Sequence, residues 1–393
     1  MVKKLDTFKS VFSKPEYQIP IVFETNDLKN EVNKLLTKYI DDLIANNVNS
    51  MIVNKIKRFR KSCSFTLSNY LKGIHSNAFK NFEKAISALD IENSPMLSET
   101  LGDDVLFRGR INSGNNDFQN DEMYHIPLSK RGIISTQRYS FPGLPCLYVG
   151  ASVYTCWVEI NRPSFEEFQV ATIKPTKCAQ DKKVFNLCNI PQRLDELRGK
   201  NWFDENEYFL YWPLLAMCSI KVYEEKDTFK PEYIFPQFML EHILKNKKSD
   251  EYIGIKYVSN KVASICNKQL EGDWHTYVNY VFPSHSDSMI KKQCDSLSSM
   301  LKIDHNRSGK DLNILTRILE ADNVKVSFKA EEEEPSQYDL IQSELGKRHI
   351  YTKDEMDYSY GISVFGMMEL AMRRTNFDDI EDDQYYYEIK RED

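Results

Sequence analysis

Residues 138–159 read RYSFPGLPCLYVGASVYTCWVE, and this stretch decides the fold. PCLYVGA is a short apolar run bounded by a Pro-Gly-Pro bend, and it reads as a strand. SVYTCWVEI follows as a helix with Ser152 as its N-cap. Trp157 and Val158 would pack that helix onto the sheet. Glu159 then stands at its inner end, where packing would accept Leu more readily. A charged group in such a place needs partners or a task.

Outward from this strand–helix unit, β-type segments alternate with helices. VLFRGRI precedes it as a strand, and FQVATIKP, KKVFNLC, EYIGIKYVS and YVNYVFP follow as strands. YFLYWPLLAMCSI reads as a buried helix with Pro213 early or at a break. PQFMLEHILKNK reads as an amphipathic helix opening after Pro236. Upstream, residues 28–90 repeat apolar residues at three-to-four spacing and read as helices. Within them, the basic run KIKRFRK (55–61) offers Ile56 and Phe59 for packing, with its cations facing water; an anion-binding patch is the rarer use. IENSPMLSETLGDD, around 91–103, is polar and reads as a linker or domain entrance. Beyond 285, SDSMIKKQCDSLSSMLKI reads as a helix and NVKVSFKAEEEEPSQYDL as a strand followed by acid. The end, FDDIEDDQYYYEIKRED, is an acidic, Tyr-rich tail. The expected class is α+β: a sheet with helices, an N-terminal helical domain over 1–97, a sheet domain over 98–285 and a C-terminal α/β extension over 286–393.

Composition narrows the function classes. The chain has 393 residues, more than one ordinary core takes, with 41% apolar and 28% charged residues. Its net charge of −6 gives no chain-wide basic footprint, so a nucleic-acid partner is not expected. MVKKLDTFKS has no apolar stretch after its lysines, and no run of about 18 apolar residues occurs, so neither a signal peptide nor a membrane span is expected. The eight Cys include no CxxC pair and the seven His no HExxH, so no metal is expected and the thiols read as reduced, in a cytoplasmic protein.

Four features over 104–260 carry chemistry: Arg108 in a strand, Arg138 with Tyr148 ten residues on, Glu159 ending a helix, and Ser259 ending GIKYVS. A guanidinium is a planar fork suited to phosphate oxygens. A Tyr ring can stack on a flat heterocycle. A carboxylate near an anomeric carbon stabilises an oxocarbenium-like centre. A Ser hydroxyl can hold a ribose hydroxyl or an amide. Together these are parts for cleaving a nucleotide's N-glycosidic bond. A dinucleotide such as NAD+ fits a single carboxylate, because nicotinamide leaves neutral from a cationic state. No G-x-G-x-x-G fingerprint supports redox use of NAD. Each residue also has a plainer use: Arg138 in a surface ion pair, Tyr148 in the core, Glu159 bridging to Arg162, Ser259 capping the helix begun by NKVASICNKQL.

In order and spacing, the segment from about 104 to 285 resembles the RES domain family. The resemblance rests on Arg108 in LFRGR, on Arg138 and Tyr148 in QRYSFPGLPCLYVG, and on Glu159 after ASVYTCWVE. Gln237 in PQFMLEHIL and Ser259 in GIKYVS complete it. Gln137 stands where the family commonly has Gly. The distance to Tyr148 selects Arg138 over Arg131. The N-terminal helical segment resembles the extension of longer RES proteins.

The resemblance implies an ADP-ribosyltransferase-like fold with a split mixed sheet core, and an NAD+-degrading enzyme, a glycohydrolase or phosphorylase. It also implies a bacterial toxin or antiphage effector restrained by an antitoxin or regulatory protein. NAD+ is then substrate, no cofactor is expected, and a homo-oligomer is. Glu159, Arg138 and Ser259 are the expected catalytic residues; Arg108, Tyr148, Tyr139 and Gln237 are expected to bind substrate. The alternatives are a mono-ADP-ribosyltransferase acting on a macromolecule and a non-catalytic NAD-sensing module.

Overall fold

Apolar residues at helical spacing build the N-terminal part as α1 (Thr7–Phe12), α2 (Leu28–Ala45), α3 (Ser50–Leu71) and α4 (His75–Leu89). The structure, a computed structural model, describes residues 6–92, 94–114, 116–245, 251–263, 274–308, 349–351, 357–360 and 363–373. Asp27 caps α2 by accepting the Asn30 N–H at 3.1 Å, and Asn49 caps α3 by accepting that of Met51 at 2.8 Å. In the basic run Ile56 and Phe59 are buried, while Lys57, Arg58 and Lys61 are exposed. Lys55 pairs with Asp90.

The remaining chain adds α5 (Val153–Glu159), α6 (Lys177–Gln180), α7 (Leu194–Leu197), α8 (Glu205–Cys218) and α9 (Ile234–Lys245). Every residue of α8 from Tyr208 to Cys218 is buried, as a helix apolar on all sides requires. Pro213 lies inside α8, which runs through it, rather than at its start. In α9, Pro236 falls in the first turn, where a missing N–H leaves nothing unpaired. The N-terminal helices and α8 share one core. Trp212 stands between Tyr17 and Tyr39, with ring centroids at 5.0 and 4.3 Å, and its indole N–H reaches the Tyr17 carbonyl at 3.0 Å.

The fold is α+β, with a mixed sheet of β1 (Ser98–Thr100), β2 (Leu106–Ile111), β3 (Cys146–Gly150), β4 (Phe168–Pro175), β5 (Lys183–Leu187), β6 (Tyr252–Val258), β7 (Val278–Pro283) and β8 (Leu301–Ser308). Their order is β1-β5-β6-β7-β3-β2-β4-β8, with β5 and β6 parallel and the other neighbours antiparallel. Two strands come from unexpected places. The polar stretch read as a linker supplies β1. The stretch read as one long helix forms a helix only over Asp295–Met300 and then β8. Leu301 and Ile303 alternate with Lys302 and Asp304, a period of two that suits the free edge of β4. The sheet therefore starts at the expected boundary near 97 and runs past the one expected at 285. The strand and acidic run over 323–340 and the acidic tail lie outside the described residues.

The sheet is split. β2 and β3 share one register pair, Phe107 with Gly150. Continued, that register would set Gly109 opposite Tyr148. Instead the strands part, and Nη1 of Arg108 donates to the Tyr148 carbonyl at 2.7 Å. A buried carbonyl without its ladder partner needs such a donor.

His125 ties the chain before the split to the chain beyond 285. Its Nε2 accepts the Cys294 N–H at 3.0 Å, so the ring proton sits on Nδ1, which donates to the Ile126 carbonyl at 2.7 Å. Burial, with Arg108 and Arg131 adding, pushes the imidazole below its ordinary 6.5. A depressed folded pKa means stability is complete above pH 6.5 and is lost as pH falls through the folded value. The thermal midpoint is expected to drop on acidification below pH 6.5, and His125→Gln to drop less; His242, shifted the same way, keeps the remainder. Among the described residues, no helix is long and apolar enough to cross a membrane.

Candidate functional site

Helix α5 lies against the split. Ser152 caps it, accepting the Thr155 N–H at 3.0 Å and donating to the Thr276 carbonyl at 2.7 Å. Two glycines give it its seat. A Cβ on Gly109 would come within 2.9 Å of Phe168 and 3.0 Å of Cys156, and one on Gly150 within 2.9 Å of the Cys156 sulfur. Burial pushes the Cys156 thiol up to about 12, so it stays protonated and donates to the Phe107 carbonyl.

This seat delivers Glu159 to its partners. Its Oε1 accepts the Ser259 hydroxyl and the Asn279 amide, both at 2.6 Å. Nζ of Lys261 donates to the Glu159 main-chain carbonyl at 2.7 Å and to Asn161 Oδ1 at 2.8 Å, placing a cation at the carboxyl end of α5. Asn161 and Arg162 then take φ of 68° and 53°, which turns the chain away. Among the described residues Glu159 makes no ion pair with Arg162. A Leu here would leave the Ser259 hydroxyl and the Asn279 amide without this acceptor.

The loop of Arg138 is pinned from beneath. Gln237 Nε2 donates to Thr136 Oγ1, the Gln137 carbonyl and the Ser140 carbonyl at 2.9, 3.0 and 3.2 Å. Arg131 is occupied by backbone, donating to the carbonyls of Gly143, Ser286 and Ser288. Arg138 differs: it is half-buried and has no hydrogen bond or ion pair among the described residues. Burial raises the Tyr257 phenol, the Glu159 carboxylate raises it further, and Arg138 opposes. Burial also raises that of Tyr233, on which the same two charges act. Both charges are therefore within electrostatic reach of both hydroxyls.

The sheet supplies one face of the site. Tyr148 is paired with Val281, and Tyr257 with Asn279. Opposite residues share a face, as do alternate residues of β7, so Tyr148, Tyr257 and Asn279 are co-facial. The Tyr148 hydroxyl donates to Ser140 Oγ at 3.2 Å, joining β3 to the Arg138 loop. Arg108 is half-buried with no carboxylate partner among the described residues, and its Nε is buried without a hydrogen bond. Burial, with Arg110 adding, pushes it down to about 10, so it remains a cation at neutral pH.

Glu159 and Ser259 thus meet directly, Tyr148 shares the sheet face of Asn279, and its hydroxyl reaches Ser140 in the Arg138 loop. Two expected substrate contacts are placed otherwise. Tyr139 is 1% exposed and packs on the Tyr257 ring at 4.6 Å. Gln237 is 3% exposed, with its amide turned onto the loop. Both position neighbours, because burial leaves them little surface to offer a ligand. Asn279, Tyr257, Tyr233 and Lys261 escaped the sequence reading. Asn279 had a signal: a polar residue inside the apolar strand VNYVFP, whose buried amide must find a partner. Among the described residues no group of three or more His, Cys, Asp or Glu could hold a metal ion.

Comparison with known proteins gives one informative relative. The chain is 34% identical over 278 residues to the Bacillus subtilis (strain 168) protein named "Putative toxin YopC". The match takes in 66% of this chain and 61% of that protein, so the chain spans less than two thirds of its relative. No family model matches the chain. No solved structure matches it.

Proposed function

We propose that the chain cleaves the nicotinamide–ribose bond of NAD+ and has a toxin-like role. The observation that carries this reading is the Glu159 carboxylate, held through Oε1 by Ser259 and Asn279. Two guanidinium groups, Arg138 and Arg108, have no carboxylate partner among the described residues. Held through one oxygen, the carboxylate keeps the other for the ribosyl centre, where positive charge develops as nicotinamide departs. Fixed charge aimed at developing charge is a strong catalytic contribution. Arg138 and Arg108 are suited to the pyrophosphate, as forked donors with no acid partner among the described residues. Tyr148 is suited to the nicotinamide side.

The order of Arg108, Arg138, Tyr148, Glu159 and Ser259 supports a RES-type reading, and the similarity to a protein named as a toxin supports the toxin-like role. An antitoxin or regulatory protein would be its partner. The test is incubation of purified protein with NAD+ and identification of products by mass. Nicotinamide with ADP-ribose or its phosphate supports the proposal. Adenylate label retained on a macromolecule would indicate a transferase, and unchanged NAD+ would remove the reading.

A further inference from the structure

The helix Val364–Arg373 lies against the outer side of α5. Phe365 enters an aromatic cluster, with its ring centroid 5.0 Å from that of Trp157, 5.2 Å from Tyr154 and 5.6 Å from Phe165. Trp157 and Phe165 are themselves stacked, at 5.9 Å and 7°. One and two turns on, Met368 and Met372 are 2% exposed and close a second apolar cluster with Phe107, Val153, Cys156, Phe168 and Val170. The helix is anchored at its own start: Ser363 Oγ accepts the Gly366 N–H, and the Tyr360 hydroxyl donates to the buried Glu369 at 2.7 Å.

Helix α5 is seven residues long, too short to hold its shape alone. One side rests on the glycines of the split. The other rests on a segment from far later in the chain. Glu159 is two residues beyond Trp157, so a shift of that indole moves the carboxylate relative to Ser259 and Asn279. Those donors sit on β7 and at the end of β6, outside this cluster, and would not follow.

We infer that the helix Val364–Arg373 is a positioning element for Glu159, acting through Phe365 on Trp157, so that the C-terminal part of the chain completes the site from behind. The kinetic consequence rests on the NAD+-cleaving reading; the structural one does not. The test uses the full-length protein with Phe365→Ala and Phe365→Tyr. In Phe365→Ala, kcat for nicotinamide release is expected to fall by about tenfold or more with KM changed less than about twofold, since misplacement of a catalytic group acts on the transition state. Amide hydrogen exchange over Val153–Glu159 is expected to accelerate while α2, α3 and α4 stay protected as in wild type. Phe365→Tyr keeps the ring and is expected to behave as wild type in both measurements. Unchanged exchange over α5 in Phe365→Ala would overturn the inference, as would acceleration spread evenly over the helices and the sheet. If wild-type protein leaves NAD+ intact, the proposed activity falls and the exchange result alone decides this inference.

Discussion

If the chain cleaves NAD+ as proposed, Glu159→Gln is expected to lower nicotinamide release by roughly 10²–10³-fold, the scale of losing one electrostatic stabiliser, with the thermal midpoint near wild type. The substitution is nearly isosteric. An amide oxygen can still accept from the Ser259 hydroxyl and the Asn279 amide, so α5 keeps its end in place. On the proposed reading, what is lost is the negative charge that would face the ribosyl centre. Such a group acts mainly in the transition state, so kcat drops far more than affinity. Near-wild-type turnover in this variant would take Glu159 out of the mechanism. Ser259→Ala and Asn279→Leu each leave one donor on Oε1, so each is expected to lower turnover less than Glu159→Gln.

Trp212→Ala is expected to cost about 3–5 kcal/mol of stability, the range for deleting a large buried aromatic. The side chain is wholly buried among Tyr17, Tyr39 and Phe12. Its removal opens a cavity and takes the indole donor from the Tyr17 carbonyl. The loss should appear as a lower midpoint in a single transition monitored from both the N-terminal helices and the sheet. The Tyr39 hydroxyl also reaches across to the Phe209 carbonyl, and Ile21 bridges to Ile220, so the helical segment has no separate core on this side. Two separated transitions, with the mutation moving one, would refute the shared core.

Much of the fold was legible because local signals were strong. Ser152 before an apolar turn announced α5, and runs such as IGIKYV and VNYVF announced the strands at β6 and β7. The failures share a cause. Leu301–Ser308 alternates like a strand but follows helix formers, and only the free edge of β4 decides its state. The class of residue at Tyr139 and Gln237 fitted ligand contact, but burial is a tertiary property that their neighbours in sequence do not reveal. Asn279 was hidden similarly, since its partner lies on a different element. Glu159 was readable because a charge at the packed end of an apolar helix conflicts with its surroundings.

The distances along the chain between Glu159 and its holders have a consequence for synthesis. The hydroxyl and amide that fix the carboxylate come 100 and 120 residues after it, and the cover of its helix later still. A ribosome therefore extrudes the acid long before anything can orient it. A nascent polypeptide that has not yet reached Ser259 and Asn279 would therefore carry Glu159 without the two donors that fix its carboxylate.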